Sequence, residues 1–178
     1  GPFELNGNAF ASRVEEAAQR RQVGPQAFAV VNAALPIQTR GLELLARTAR
    51  QDRSEEVREG AVFAISQIEL PAAVDEIIGL ARSADKRDVR KQAVFWLGQM
   101  ASERSGRALE EFARKDTDTE IQEQAVFALS QLPDDQGVDA LIRLAKTHPD
   151  PRVRKKAVFW LGECDDPRAL EALVNIVK

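Results

Sequence analysis

The chain has 178 residues, a formal net charge of −3, and an ordinary balance of 44% apolar and 30% charged residues, which predicts one soluble domain with a substantial buried core. The small net charge argues against a broad electrostatic surface for nucleic acid, and no apolar run approaches the roughly 20 residues of a membrane span. Cys164 is the only cysteine, which excludes a disulfide within the chain and leaves the compartment undetermined.

Residues 1–39 are predicted to form a divergent helical cap. The opening Gly1-Pro2 is typical of a protease-cleavage scar left by an expression tag. Residues 10–22 have an amphipathic pattern that Gly24-Pro25 interrupts, and residues 25–35 fit a degenerate repeat helix. Terminal repeats are expected to be atypical, because they lack a neighbour on one side.

Residues 40–178 contain an Ala-Val-Phe motif that begins at residues 61, 93, 125 and 157, and so recurs with a fixed 32-residue period. A fixed period of this size is typical of a solenoid, in which a repeat cannot bury its apolar face alone. The period therefore predicts an all-α fold and favours a binding role, although it does not identify the partner.

Each repeat is predicted to contain two helices. The motif lies in the first helix, at roughly 54–67, 87–99, 119–131 and 151–163, and the second helices follow at roughly 72–83, 105–115, 136–147 and 167–178. Asp150-Pro151 and Asp166-Pro167 each place a capping carboxylate before a proline at the first helical position. The last helix lacks a partner, so we expect the native protein to continue past Lys178.

A longer period, spanning two repeats, is superimposed on the first. Residues 59–100 match residues 123–164 at 21 of 42 positions, whereas residues 61–100 match residues 93–132 at 12 of 40. Two repeat types therefore alternate. The alanine type continues Ala-Val-Phe-Ala and contains Ser66 or Ser130, and the tryptophan type continues Ala-Val-Phe-Trp and contains Gly98 or Gly162.

The helical wheel of the second copy separates a core stripe from an outward phenylalanine. Val89, Ala93, Trp96, Leu97 and Met100 fall within one arc, and Phe95 lies about 140° from its centre. The same pattern in every copy predicts a phenylalanine row, a largely glutamine row and a row of alternating charge. These rows comprise Phe63, Phe95, Phe127 and Phe159; Gln67, Gln99, Gln131 and Glu163; and Glu59, Lys91, Glu123 and Lys155.

The pattern Val-Arg, Ala, Leu-Gly and an apolar residue resembles the HEAT-like repeats of bacteria, also called phycobilin-lyase-type HEAT repeats. It occurs at Val89-Arg90, Ala93, Leu97-Gly98 and Met100, and again at Val153-Arg154, Ala157, Leu161-Gly162 and Cys164. The resemblance covers about residues 40–178. It implies a right-handed α-α superhelix whose first helices line the concave, binding side, where the three rows would then lie.

The same resemblance exposes departures from the family pattern. Gln122 replaces the usual arginine, and Ser54 and Lys86 stand where an aspartate often precedes the first helix. The family's ladder of Asp–Arg hydrogen bonds between repeats is therefore expected to be incomplete.

Other conspicuous residues are interpreted structurally. Trp96, Trp160 and Cys164 are predicted to pack in the core. His148, the only histidine, falls in a loop, which gives poor support for a metal site or a histidine-based catalytic centre. The pairs Asp134-Asp135 and Asp165-Asp166 lie at helix starts, where capping explains them without acid–base chemistry.

The phenylalanine row has two compatible interpretations, which are partner binding and packing between repeats.

The leading functional hypothesis is a non-catalytic scaffold that binds a peptide or helix of another protein on the phenylalanine-lined face. We expect no catalytic residues, metal or cofactor. The alternatives are a bilin-lyase-like enzyme that attaches a chromophore, a nucleic-acid-binding HEAT-like protein, and self-association through the phenylalanine row. The localisation is open, and a soluble domain cut from a longer or exported bacterial protein would fit.

Overall fold

The computed structural model describes residues 39–177, except residues 101, 134 and 135. Nine helices and no strand occur in this part of the chain. They are α1 (39–51), α2 (Glu55–Ser66), α3 (Pro71–Ser83), α4 (Arg87–Gln99), α5 (Glu103–Lys115), α6 (Thr119–Ser130), α7 (Val138–Thr147), α8 (Pro151–Gly162) and α9 (Pro167–Val177). The all-α prediction is confirmed, and the bounds of α2 to α9 agree with it within two residues. The helices predicted before residue 39 lie outside the described residues.

The helices form two layers that advance by one repeat at a time. In the first layer α2, α4, α6 and α8 pack side by side, and in the second layer α3, α5, α7 and α9 do the same. Each second helix also packs against the first helix of its own repeat, and α3, α5 and α7 pack against the first helix of the next repeat. The layers are thus connected through contacts within a repeat and between neighbouring repeats, as expected for a solenoid.

The core lies between the two layers and repeats the predicted stripe. Val89, Ala93 and Leu97 of α4 are fully buried, and so is Val94. Equivalent residues such as Val62, Ile65, Ile121 and Leu161 are buried in the other copies. The repeated apolar stripe therefore positions every first helix in the same orientation.

Several predicted core residues are only half-buried. Met100 and Cys164 follow the last residues of α4 and α8, where the helical wheel no longer describes the direction of a side chain. Trp96 and its equivalent Trp160 lie at the edge of the arc, and their rings are long enough to reach the surface of the first layer.

The two repeat types fit each other through a close contact between α4 and α6. A Cβ atom on Gly98 would lie 2.9 Å from the Ala128 carbonyl oxygen and 3.1 Å from its Cα and Cβ atoms. A larger residue at either position would separate the helices. At Gly162, the equivalent of Gly98, a Cβ atom would meet nothing within 4 Å.

Arginines near the start of the first helices connect successive repeats. The Arg58 guanidinium donates from Nε and Nη2 to Asp88 Oδ2 at 2.9 and 2.7 Å, and from Nη1 to the carbonyls of Asp52 and Arg53. Its equivalent Arg90 donates to the Ala81 carbonyl at 2.9 Å and pairs with Asp116. These bonds tie the start of a first helix to the segment before it and to the next repeat.

The expected interruption of this network falls in the third repeat. Gln122, at the position equivalent to Arg58 and Arg90, is buried, and its side chain makes no hydrogen bond to the described residues. In the fourth repeat Arg154 again donates from Nη1, to the carbonyls of His148 and Pro149 at 2.6 and 2.9 Å. In the described part of the chain, the arginine contacts are thus absent at one of four equivalent positions.

Candidate partner-binding face

Six aromatic rings form a continuous row across α2, α4, α6 and α8. In spatial order they are Phe63, Trp96, Phe95, Phe127, Trp160 and Phe159, with neighbouring ring centroids 5.0, 5.1, 6.4, 5.2 and 5.0 Å apart. We call this surface the aromatic face. The first layer places the rings in one row because each belongs to the same turn of a first helix.

The alternation of repeat types explains the spacing of the rings. In the tryptophan type, Trp96 fills the space between Phe63 and Phe95, and Trp160 fills the space between Phe127 and Phe159. Where Ala128 stands in the tryptophan position, Phe95 and Phe127 contact each other directly, with nearly parallel rings at 12°. The tryptophans are therefore members of the aromatic face rather than of the core alone.

The rings pack against one another and remain accessible. Phe63 and Phe159 at the two ends are 47% and 54% exposed, and the central Phe95 and Phe127 are half-buried. Each aromatic pair contributes about 0.5–1.5 kcal/mol beyond its buried area. Packing between repeats and an exposed apolar surface thus occur together, as the two compatible interpretations of the phenylalanine row require.

The predicted amide row borders the aromatic face. Gln67, Gln99, Gln131 and Glu163 are all exposed. In the alanine type the glutamine is held in place, because Gln67 Nε2 and Gln131 Nε2 donate to the serine hydroxyls beside them at 3.2 Å. Those serines donate in turn to the carbonyls of Phe63 and Phe127 at 2.7 Å. The amide oxygens stay available to a partner's N–H groups.

The predicted charge row lies on the other flank, but its members do not pair with one another. Glu59 accepts a hydrogen bond from Gln92 at 3.2 Å, and Lys91 lies 3.6 Å from Glu120. Glu123 and Lys155, the other two members, make no ion pair with the described residues. The row therefore retains charges that could meet a partner.

Two clefts open where the first helices end, and they occupy equivalent positions in the two double repeats. The larger has a volume of about 690 Å³, and its lining includes Ile68, Val74, Gln99 and Met100. The smaller, about 290 Å³, is lined in part by Leu132, Val138, Trp160, Glu163 and Cys164. Each cleft is lined by at least one residue of the amide row, so apolar side chains of a bound partner could enter beside the aromatic face.

The residues with potential catalytic chemistry have structural partners. His148 is buried, and its Nδ1 accepts a hydrogen bond from the backbone N–H of Asp150 at 3.1 Å. Asp150 and Asp166 accept from the backbone N–H groups of Arg152 and Arg168 at 2.8 and 2.7 Å, which confirms the predicted caps. Asp134 and Asp135 lie outside the described residues.

The described residues contain no cluster of three or more histidine, cysteine or acidic side chains that could hold a metal ion. None of the described helices has the length and apolar character needed to cross a membrane.

Several capping carboxylates are held in the ionised form. The Arg87 guanidinium, which donates to both oxygens of Asp118 at 2.6 Å, lowers the pKa of that carboxyl below its usual value. The Arg152 N–H lowers the pKa of Asp150, and the Arg168 side chain lowers that of Asp166. Ionised carboxylates at helix starts are also favoured by the helix dipole.

These lowered pKa values predict a loss of stability in acid. The contribution of these carboxyls to the free energy of unfolding is fully present above their unfolded-state pKa, which is near 3.9. It is lost as the pH falls through their lower folded-state pKa values, so the free energy of unfolding should decline between about pH 5 and pH 2. Asp118→Asn should flatten that decline in urea titrations made at several pH values. A decline as steep as that of the wild type would contradict the assignment.

The two-layer stack of helix pairs defines the chain as an α-helical repeat protein. A family model for HEAT repeats matches residues 42–130 and 107–178, and the chain belongs to the HEAT-repeat family. No curated protein matches it. The narrower assignment to the bacterial, phycobilin-lyase-type repeats stays a prediction.

Proposed function

We propose that the protein is a non-catalytic recognition scaffold that binds a peptide or helix of another protein across the aromatic face. The observation that carries the proposal is the unbroken row of six partly exposed rings along four repeats. Isolated exposed apolar residues are ordinary on a protein surface, whereas a contiguous apolar patch bordered by polar rows marks an interaction site. HEAT repeats commonly mediate protein interactions, which supports the proposal.

The rings would supply most of the binding energy. Interface energy is concentrated in a few aromatic anchors near the centre of a contact, and a polar rim excludes water around them. Phe95 and Phe127 are the central pair here, and the amide row provides a rim with exposed hydrogen-bonding groups. By family resemblance, we propose that this face is the concave side of the superhelix and that residues 40–178 act as one domain.

The charges of the face favour a protein partner over nucleic acid. Binding to a phosphate backbone requires a stripe of cations. Glu59 and Glu123 interrupt any such stripe at two of the four repeats, and Glu163 lies beside the basic fourth repeat. No described residue specifically supports attachment of a bilin.

The proposal predicts that a partner captured from source-cell extract depends on the central rings. Phe95→Ser/Phe127→Ser should weaken binding at least tenfold, since loss of two central anchors costs about 1 kcal/mol or more each. The measurement is an affinity pull-down, followed by a titration with the identified partner. Because the rings also pack between repeats, the variant's helicity must first be confirmed by circular dichroism.

The matched control is Leu170→Ser, which removes an exposed apolar side chain from α9 in the other layer. It should bind as the wild type does. A partner that is lost with Leu170→Ser and retained with the double variant would move the site to the second helices and refute the proposal.

A further inference from the structure

The aromatic face has opposite charges at its two ends. Residues three, four and seven positions before each phenylalanine share its side of the helix. In the first repeat these positions include Glu56 and Glu59, and in the fourth they are Arg152, Lys155 and Lys156. The α2 end of the face is thus acidic and the α8 end is basic.

Pairs within the protein neutralise much of the charge between the two ends. Glu120, at one of these positions in the third repeat, is 3.2 Å from Arg87 and 3.6 Å from Lys91. Asp88, the equivalent in the second repeat, is bound by Arg58. Charges that pair within the protein attract a ligand less strongly. The middle of the face therefore presents mainly its rings, with Glu123 as one carboxylate that has no ion pair among the described residues.

The charges at the ends are largely unpaired. Glu56, Glu59, Lys155 and Lys156 form no ion pair with any residue that the structure describes. Arg152 is only loosely engaged, 3.3 Å from Asp150 and 3.0 Å from the Thr119 hydroxyl. At the basic end, Glu163 offsets one of the three cations. The four unpaired side chains are exposed or half-buried, and a ligand lying along the rings would pass beside all of them.

Resting on the proposed function, we infer that the bound segment carries a bipolar charge pattern: basic residues over α2, apolar residues over Phe95 and Phe127, and acidic residues over α8. Complementary charges at the rim of an interface set orientation and reject wrong partners more than they add affinity. The apolar centre of the segment would supply the affinity, and its charged ends would fix which way it lies.

The spacing of the helices sets the length of such a segment. Neighbouring packed helices lie about 8–10 Å apart, so α2 and α8 are separated by about 25–30 Å. A helical segment would cover that distance with about 17–20 residues, and an extended one with about 8–9 residues. Probes of about 20 residues therefore reach both ends of the face in either conformation.

The test uses three synthetic peptides that share one apolar centre with leucine and phenylalanine and differ only in their ends. One has a lysine block at one end and a glutamate block at the other, the second has lysine at both ends, and the third has glutamate at both. By fluorescence anisotropy at low salt, the wild type should bind the bipolar peptide about tenfold more tightly than either uniform peptide. The preference should shrink as salt is added, because exposed charges are screened.

Charge-reversal variants assign the preference to the two ends. Lys155→Glu/Lys156→Glu should prefer the peptide with two lysine ends, and Glu56→Lys/Glu59→Lys should prefer the peptide with two glutamate ends. The variant with all four substitutions should again prefer the bipolar peptide, because the two ends have merely exchanged their charges. Circular dichroism melts would establish that each variant is folded.

Each contrary result has a separate meaning. If the wild type binds all three peptides equally and Phe95→Ser/Phe127→Ser weakens them all, the charge inference is wrong while the proposed function stands. If no peptide binds the wild type, both are overturned. If the reversals change the molar mass measured by light scattering rather than peptide affinity, the ligand of this face is a second copy of the chain and the inference is again wrong.

Discussion

Replacing Arg58 with alanine is expected to lower the free energy of unfolding by about 2–4 kcal/mol. The side chain is buried, and its guanidinium makes two bonds to Asp88 and one to each of two backbone carbonyls. Removing it leaves the Asp88 carboxylate without its cation and two carbonyls without a donor. Such uncompensated groups cost more than the intact interaction contributes.

An exposed arginine pair provides the control for this loss. Arg143 donates to both carboxylate oxygens of Glu110 at 2.9 and 2.8 Å, but its side chain is 53% exposed. Arg143→Ala should therefore cost less than about 1 kcal/mol. Arg58→Lys keeps the charge but not the planar fork, and it should recover only part of the stability. Urea denaturation measures all three, and similar losses for Arg58→Ala and Arg143→Ala would refute the role of burial.

Gly98→Ala is expected to destabilise the protein by about 1–3 kcal/mol, although alanine is the better helix former. The added Cβ would lie 2.9 Å from the Ala128 carbonyl oxygen. That oxygen belongs to the backbone and cannot rotate away, so α4 and α6 must move apart and separate the rings of Phe95 and Phe127. The expected loss of stability already includes the small gain from the higher helix propensity of alanine.

The repeat itself supplies the matched control. Gly162 is the equivalent residue in α8, where an added Cβ has open space. Gly162→Ala should leave stability unchanged or raise it by up to about 1 kcal/mol, through the lower conformational entropy of the unfolded chain. Thermal and urea unfolding should therefore show a loss of stability for Gly98→Ala and no loss for Gly162→Ala. Equal stabilisation would show that the contact between α4 and α6 is not constraining.

The helices and the outward phenylalanines were predictable because both follow from periodicity. An apolar stripe with helical spacing fixes which side of each first helix is buried, and the same wheel directs Phe95 and its equivalents outward. The starts of some helices could be predicted from capping residues such as Asp150, because a cap depends only on its local sequence. These features depend on short stretches of chain, so a single sequence contains them.

The continuous aromatic face was not predictable in the same way. A wheel places Trp96 inside the core arc because it records the direction of Cα–Cβ and ignores the size of the side chain. The ring reaches Phe63 of the preceding repeat, a contact that depends on how closely two helices approach. The sequence did contain a signal for the aromatic face. The residue after each Ala-Val-Phe motif alternates between alanine and tryptophan, and the residue two positions later alternates in step between serine and glycine.

The charge polarity of the face depends equally on tertiary structure. The sequence contains alternating Glu59, Lys91, Glu123 and Lys155, which predicts a balanced row. Lys91 and Arg87 pair with Glu120 in the middle of the face. Among the described residues, Glu123 is left without an ion pair there, and so are the charges at the two ends. Which charges remain for a partner is determined by contacts between repeats.

The contact between Gly98 and Ala128 also limits how such a chain can change length during evolution. Losing the third repeat alone would bring Trp160 to the place of Ala128, against a glycine with no room for a Cβ atom. Losing the second and third repeats together would instead join the alanine-type first repeat to the tryptophan-type fourth repeat and keep the two types in alternation. We expect homologues to gain or lose repeats in pairs, so that the heritable unit of this protein is twice its structural repeat.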